Sequence, residues 1–353
     1  MLTVLRLELA VALASPAQID QAARLLKAGR LVAFPTETVY GLGANALDAD
    51  AVARIYAAKQ RPATSPLIVH VASIEMARAL LGAPPNTGVS AAAGTTSAWP
   101  ETAELLARKF WPGPLTLVLP KPAAIPLIVT AGLLTVGLRM PSHPVALALI
   151  RAAGVPLAAP SANRFTELSP TTAEHVRQSL GGDVDYVLDG GPCEVGIEST
   201  VLSLVEARPV LLRPGAIART EIEAVIGPVD QAKPPTGGAQ LGGAHPAPGM
   251  HARHYSPRTP LFLVSNGELP ERGRGIYLQH TRAPKRGGDN TANARPVEIV
   301  QMPQSAPDYA ARLYSALHEA DEAQVDWIAV DLPPDAAEWE AVHDRLRRAA
   351  FRE

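Results

Sequence analysis

A single cysteine, Cys193, stands in 353 residues. That count excludes an intramolecular disulfide and leaves no basis for a cysteine-built metal site. Aromatic residues make up only 5%, and the formal net charge is -2. No global basic field argues for a nucleic-acid binder, so any anion site must be a local cluster. No run of 18 apolar residues occurs, so no membrane-spanning helix is expected. The opening MLTVLRLELAVALASPAQ carries Arg6 and Glu8 within its apolar stretch, which does not suit a secretory leader. The expected location is the cytoplasm. A GxxxxGK[ST] loop, a GxSxG elbow and a Gly-rich dinucleotide fingerprint are all missing, which sets aside the function classes built on them.

Apolar residues reach 47%, ample for a core, and the length suggests two domains. The 34 prolines are about double the average share of roughly 5% and sit largely in loops. The richest stretch is Leu31 to Val71. Its apolar runs Leu31 to Phe34 and Pro66 to Val71 read as buried strands, and Asp48 to Ala58 reads as a helix between them. Thr36, Glu37 and Thr38 follow the first strand, Lys59 and Arg61 follow the helix, Ser65 opens the second strand and His70 lies inside it. Hydroxyls and cations at strand ends suit an anion such as a phosphate. A Thr-rich turn with solvated cations is the plainer alternative, and composition does not separate the two.

Further along, Leu134 to Met140 reads as a strand with Thr135, Gly137 and Arg139 on one face. An arginine there must be ion-paired or must face a cavity. Val155 to Pro160 is a strand running into Ser161, Ala162 and Asn163, with Ser169 following. These residues make good anion or ribose contacts, and equally good turns and caps. Val201 to Val205 and Arg208 to Leu212 read as a hairpin preceded by Ser199 and closed by Arg213. Residues 82–100 are small, polar and aperiodic and receive no chemistry. Arg219 to Ile226 reads as a helix ending a first domain, 1–226. A Pro/Gly-rich linker, 227–260, contains Pro248 to Pro257 with His251, His254 and Tyr255, and a smaller α/β domain, 261–353, follows. The histidines lack accompanying carboxylates, so no metal site is expected.

PTETVYGLG, Lys59-Gln60-Arg61, SPLIVHV, WPGPLTLVL, the RxPxHP run at Arg139, SAN then SPT, DGG…GxEST and PGM…HYSP together resemble the YrdC-like family, in its two-domain threonylcarbamoyl-AMP synthase form. The resemblance implies an α/β fold: a YrdC-like twisted mixed sheet with helices around a basic cavity, plus a small Rossmann-like C-terminal α/β domain, with the linker closing over the active site. It implies that L-threonine, bicarbonate and ATP give threonylcarbamoyl-AMP, pyrophosphate and water, for modification of tRNA by a separate downstream transferase. Lys59, Arg61, Ser161 and Asn163 would be catalytic. Thr38, His70, Arg139 and Ser199 would hold threonine. Arg61, Ser65, Thr135, Ala159, Ser161, Ser169, Arg213 and Tyr255 would hold nucleotide. Mg2+ would arrive on ATP, with no dedicated protein site, and no tight tRNA binding is expected. The rival readings are an RNA-binding module and a carbamoyl-transfer paralogue using the same cavity. Hydrogenase-maturation carbamoyltransferases carry extra modules that are missing here.

Overall fold

A computed structural model describes residues 14–82, 99–232, 253–265, 268–280 and 297–351. The first part runs α1 (Pro16–Lys27), β1 (Val32–Phe34), β2 (Gly41–Asn45), α2 (Ala49–Lys59), β3 (Ile68–His70), α3 (Ile74–Gly82), α4 (Glu101–Phe110), β4 (Leu115–Pro120), β5 (Thr135–Arg139), α5 (Pro144–Ala153), β6 (Leu157–Ala158), α6 (Ala173–Leu180), β7 (Tyr186–Val187), β8 (Thr200–Ser203), β9 (Val210–Arg213), α7 (Arg219–Ile226) and β10 (Asp230–Gln231). The second part runs β11 (Leu261–Val264), β12 (Gly275–Gln279), β13 (Val297–Gln301), α8 (Ala306–Glu322), β14 (Trp327–Asp331) and α9 (Glu340–Ala349).

Local chemistry sets most of these limits. Ser15 and Gln18 form a capping box ahead of α1, with Pro16 at the first helical position. Asp48 caps α2 through the Asp50 and Ala51 amides, and Gln60 ends it in the left-handed region. His143 accepts from the Val145 amide ahead of α5, and Gly154 stops that helix with φ 68°.

Ten strands form one mixed sheet in the order β10-β9-β8-β4-β5-β3-β6-β2-β1-β7. The second sheet, β11-β14-β12-β13, is wholly parallel. This is the mixed sheet and Rossmann-like companion that the sequence implied. The expected loop at 82–100 lies almost wholly outside the described residues. Two strands were not foreseen. β2 holds Gly41 and Gly43, residues that weaken a strand and read as a turn. Gly43 is needed because β1 and β2 pair closely: a Cβ there would lie 2.7 Å from the Phe34 ring. β10 falls in the stretch expected to be a featureless linker, yet it pairs in parallel with β9, so the described start of that stretch belongs to the first sheet.

The two parts share apolar packing. Val39, Leu168 and Ile197 of the first lie in one cluster with Tyr255, Tyr314 and Leu346. Nearby, His175 of α6 and His318 of α8 stack at 3.8 Å, and His318 Nε2 lies 3.1 Å from the Ser169 carbonyl. Burial, then His175, pull the His318 imidazole down to about 4, against Asp321. Burial lowers His175 as well, against Glu174, Glu319 and Glu322.

Two expectations follow from this packing. Gly43→Ala should cost about 1–3 kcal/mol of stability through overpacking on Phe34, read by urea denaturation; an unchanged midpoint would show that Phe34 yields freely. The unfolded chain takes up a proton at His318 near pH 6.5, whereas the folded chain does so only near 4. Stability should therefore fall as pH drops from 6.5 towards 4, by about 1.4 kcal/mol per pH unit for that proton. His318→Gln should narrow the stability difference between pH 7 and pH 5, and an equal difference in both proteins would count against a neutral His318.

Candidate active site

β3 and β5 pair in parallel with His70 opposite Arg139, so the two strands deliver an imidazole and a guanidinium side by side at their carboxyl ends. The Thr36–Thr38 turn meets them. Thr36 Oγ1 donates to the Val39 carbonyl at 2.6 Å and lies 2.9 Å from Thr38 Oγ1, which accepts from Arg139 Nη2 at 2.9 Å. Glu37 Oε1 lies 2.8 Å from the same Nη2 in a buried ion pair. Both alternatives for Arg139 thus hold together: it is ion-paired and it lines the cavity. Arg139 Nε and His70 Nδ1 are buried without a hydrogen-bond partner. Such groups cost about 1–3 kcal/mol each when left unmet, which marks them as ligand-facing. Burial first, and then Arg139, bring the His70 pKa down to about 3, so its ring is neutral at physiological pH.

The other wall carries two more guanidiniums. Arg61 donates to the Ser65 and Pro66 carbonyls at 3.3 and 3.1 Å and lies over the Phe165 ring at 5.7 Å. Burial brings it down to about 10. Arg213 ends β9 and grips Ser199 twice, through the carbonyl (3.1 and 2.9 Å) and the Oγ (3.2 Å), while Ser199 Oγ also meets Thr116 Oγ1 at 2.8 Å. Tyr255 closes the space with its ring, 1% exposed, its hydroxyl buried and unpartnered, and its backbone in the left-handed region at φ 60°. A bulky aromatic residue is held there only by its surroundings. Among these are His254 at 4.0 Å, Tyr314 at 5.8 Å and the Arg345 guanidinium at 5.3 Å.

Of the residues expected from sequence, Thr38, Arg61, His70, Arg139, Ala159, Ser161, Ser199, Arg213 and Tyr255 line this one cavity. Four others stand behind its wall. The Lys59 ammonium is turned onto the Ser161 and Asn163 carbonyls, and burial and Arg61 hold it well below its usual range. Asn163 Nδ2 donates to the Arg164 and Glu167 carbonyls at 2.9 Å each. Ser65 is buried, with its carbonyl taken by Tyr56 and Arg61. Ser169 donates to Glu198 Oε1 at 2.5 Å. Thr135 lies elsewhere. It opens β5 while Arg139 ends it, about 13 Å away at roughly 3.3 Å per residue. It lines a small recess with Thr116 and Gly137, and Ile68 alone borders both spaces.

Sequence reasoning gave no role to Glu37, Glu198 or His254, nor to Tyr314 and Arg345, and noted Thr36 only as a strand-end hydroxyl. Glu198 lies inside a quoted motif, but two of its partners, Tyr314 and Arg345, are more than 100 residues away and nothing local announces them. Cys193 is buried, and burial pushes its thiol up, so it offers no nucleophile. Among the described residues no cluster of three or more His, Cys, Asp or Glu could hold a metal, and no helix is long and apolar enough to cross a membrane. The arrangement can neutralise an anion with three guanidiniums and orient a small polar molecule between Arg139 and His70.

Known proteins agree with this architecture. A family model described as telomere recombination, Sua5/YciO/YrdC, matches residues 24–215, and one described as threonylcarbamoyl-AMP synthase, C-terminal domain, matches 217–351. The chain is 45% identical to threonylcarbamoyl-AMP synthase of Bacillus subtilis over 94% of its length and 93% of the relative's. It is 42% identical to that of Pyrococcus abyssi, over 94% of both. The crystal structure of P. abyssi Sua5 complexed with L-threonine superposes with a TM-score of 0.80, at 37% identity and 95% coverage of each chain. A variant of that protein with adjacent histidine and tyrosine replaced by alanine gives 0.79, at 38% identity, covering 95% of this chain and 93% of that one. With both of its parts matched, this chain belongs to the Sua5/YciO/YrdC family, among the two-domain threonylcarbamoyl-AMP synthases.

Proposed function

We infer that the chain is a threonylcarbamoyl-AMP synthase, a nucleotidyl-transferring enzyme that turns L-threonine, bicarbonate and ATP into L-threonylcarbamoyladenylate, pyrophosphate and water. The observation that carries this is the near-full-length relationship to such synthases, joined to a guanidinium-lined cavity with unmet polar groups. The product is expected to serve a separate transferase that modifies tRNA, and the enzyme is expected to work in the cytoplasm.

The chemistry needs positioning and charge neutralisation more than a covalent nucleophile. The threonine amine attacks bicarbonate carbon, water leaves, and a carbamate results. A carbamate oxygen then attacks the α-phosphorus of ATP, and the bond to the β-phosphate oxygen breaks to release pyrophosphate. Arg139 takes the threonine carboxylate, a role supported by its Nε, buried without a hydrogen-bond partner. Neutral His70, with Thr38 and Ser199, orients the amine and hydroxyl. Arg61 and Arg213 neutralise phosphates. Lys59 and Asn163 act on the nucleotide through the Ser161 turn that they hold. Ala159, Ser161 and Tyr255 contact nucleotide, with Ser65 and Ser169 supporting them and Thr135 in the adjoining recess. Mg2+ is expected to travel on ATP. The cavity's lining carboxylate, Glu198, is already taken by Ser169, Tyr314 and Arg345, so it is no metal ligand as it stands.

With Tyr255 in place only about 50 Å³ remains, room for a few waters. A nucleotide needs several hundred cubic ångströms, on the order of 300 or more. ATP entry is expected to displace His254 and Tyr255.

Pyrophosphate release, measured with threonine and bicarbonate each omitted in turn, should require both; release indifferent to threonine would sink the assignment. Arg61→Ala should keep the fold and cut synthesis by roughly 10²-fold or more, as expected for loss of a charge-stabilising donor. Near-wild-type turnover would remove Arg61 from the phosphate site. Tyr255→Phe should weaken nucleotide binding by about 1 kcal/mol, roughly fivefold in Kd, with little change in melting temperature. Equal affinities would show that the hydroxyl does not reach the nucleotide.

A further inference from the structure

Glu198 is the point where the second part of the chain reaches into the cavity. Its loop lies directly against α8: Gly196 has φ 74°, and a Cβ there would come within 2.5 Å of the Ala311 Cα. The Glu198 carboxylate then takes three donors. Ser169 supplies one at 2.5 Å from the first part. Tyr314 of α8 supplies its hydroxyl at 3.1 Å, and Arg345 of α9 supplies Nε at 2.7 Å. Arg345 is wholly buried and also reaches the Glu198 carbonyl at 3.3 Å and the Pro214 carbonyl at 3.1 Å. One guanidinium thus ties the residue before Ser199 to the residue after Arg213, and Ser199 and Arg213 are themselves bonded to each other.

We propose that Arg345 and Tyr314 are positioning residues of the synthase site, through which the C-terminal domain fixes the Glu198–Ser199 corner and its Arg213 partner for catalysis. The inference rests on the synthase reading above. It gives the second domain a part in the reaction without any contact with substrate. The groups facing Glu198 are Arg345 from α9, itself paired with Asp344, Tyr314 from α8, Arg213 from β9, Ser169, and Tyr255 beneath Arg345. Burial alone would raise the Glu198 carboxyl, and the Arg345 and Arg213 guanidiniums outweigh it and hold it below its usual range. Without Arg345, only Arg213 and Ser169 remain against burial, the carboxyl's pKa moves up, and the corner loses its clamp on the Pro214 side. A buried pair broken on one side is costly because the other charge stays behind.

The test uses the full chain and threonine-dependent pyrophosphate release from pH 6 to 9. Arg345→Met should lower kcat by up to ~10²-fold, as a small misplacement of reacting groups does. Divided by the wild-type profile, its residual activity should rise with pH across a new limb. Glu198→Gln should show a comparable loss with no such limb. Arg345→Lys should recover part of kcat, and Tyr314→Phe should lose several-fold with its fold intact. Arg312→Ala, on α8 but paired outward with Glu319, should behave as wild type. If Arg345→Met fails to fold, Tyr314→Phe and Glu198→Gln carry the test. Wild-type kcat in those variants overturns the proposal, and so does a loss in Arg345→Met without a new pH limb. If the wild type itself releases no pyrophosphate with threonine, the synthase reading falls and takes this inference with it.

Discussion

Burying guanidinium groups is the constraint on which this structure turns. Arg61, Arg139, Arg213 and Arg345 are all buried in a chain whose net charge is close to zero. Each must be hydrogen-bonded, since an unpaired buried charge is prohibitively costly. For two of them the partners include neutral backbone and hydroxyl groups. Arg61 is met by the Ser65 and Pro66 carbonyls, and Arg213 by the Ser199 carbonyl and hydroxyl. Carbonyl dipoles satisfy N–H donors without cancelling the charge, so the positive potential stays in the cavity for an anionic ligand. The other two guanidiniums meet carboxylates, Arg345 also pairing with Asp344. Glu37 holds Arg139 beside His70, and Glu198 anchors Arg345.

Much of this was legible in the sequence because the signals are local. The capped helices α2 and α5 and the motif-bearing strands β3, β5 and β8 appear where periodicity and caps put them. Nine of the residues singled out do line one cavity. The departures have physical causes. β2 was hidden because its glycines serve close packing on Phe34, a reason only the paired strand supplies. Thr135 was grouped with Arg139 because alternation reports which face a side chain takes and says nothing of distance along the strand. Lys59 was expected to face phosphate, but a lysine head turns towards the nearest unmet carbonyls, and those belong to a turn 102 residues on. Arg345 lies 147 residues from Glu198 in a helix whose pattern reads as an ordinary amphipathic one.

The seating of Tyr255 in the cavity lining follows from the same contacts. Tyr255 keeps a left-handed backbone because His254, Tyr314 and Arg345 surround its ring, and it belongs to the apolar cluster that joins the two parts. Moving it aside exposes that cluster and forfeits the cation–π contact, on the order of 0.5–2 kcal/mol. A nucleotide that displaces Tyr255 must offset this cost. A closed, water-poor cavity also suits the chemistry proposed. A carbamate and its mixed anhydride with AMP both suffer from water, and a site that expels water protects them while strengthening every charge contact inside. The residues that shut the mouth and the residues that set the Glu198 corner are packed on one another, so the same aromatic and guanidinium contacts bear on closure and on the geometry of the reacting groups.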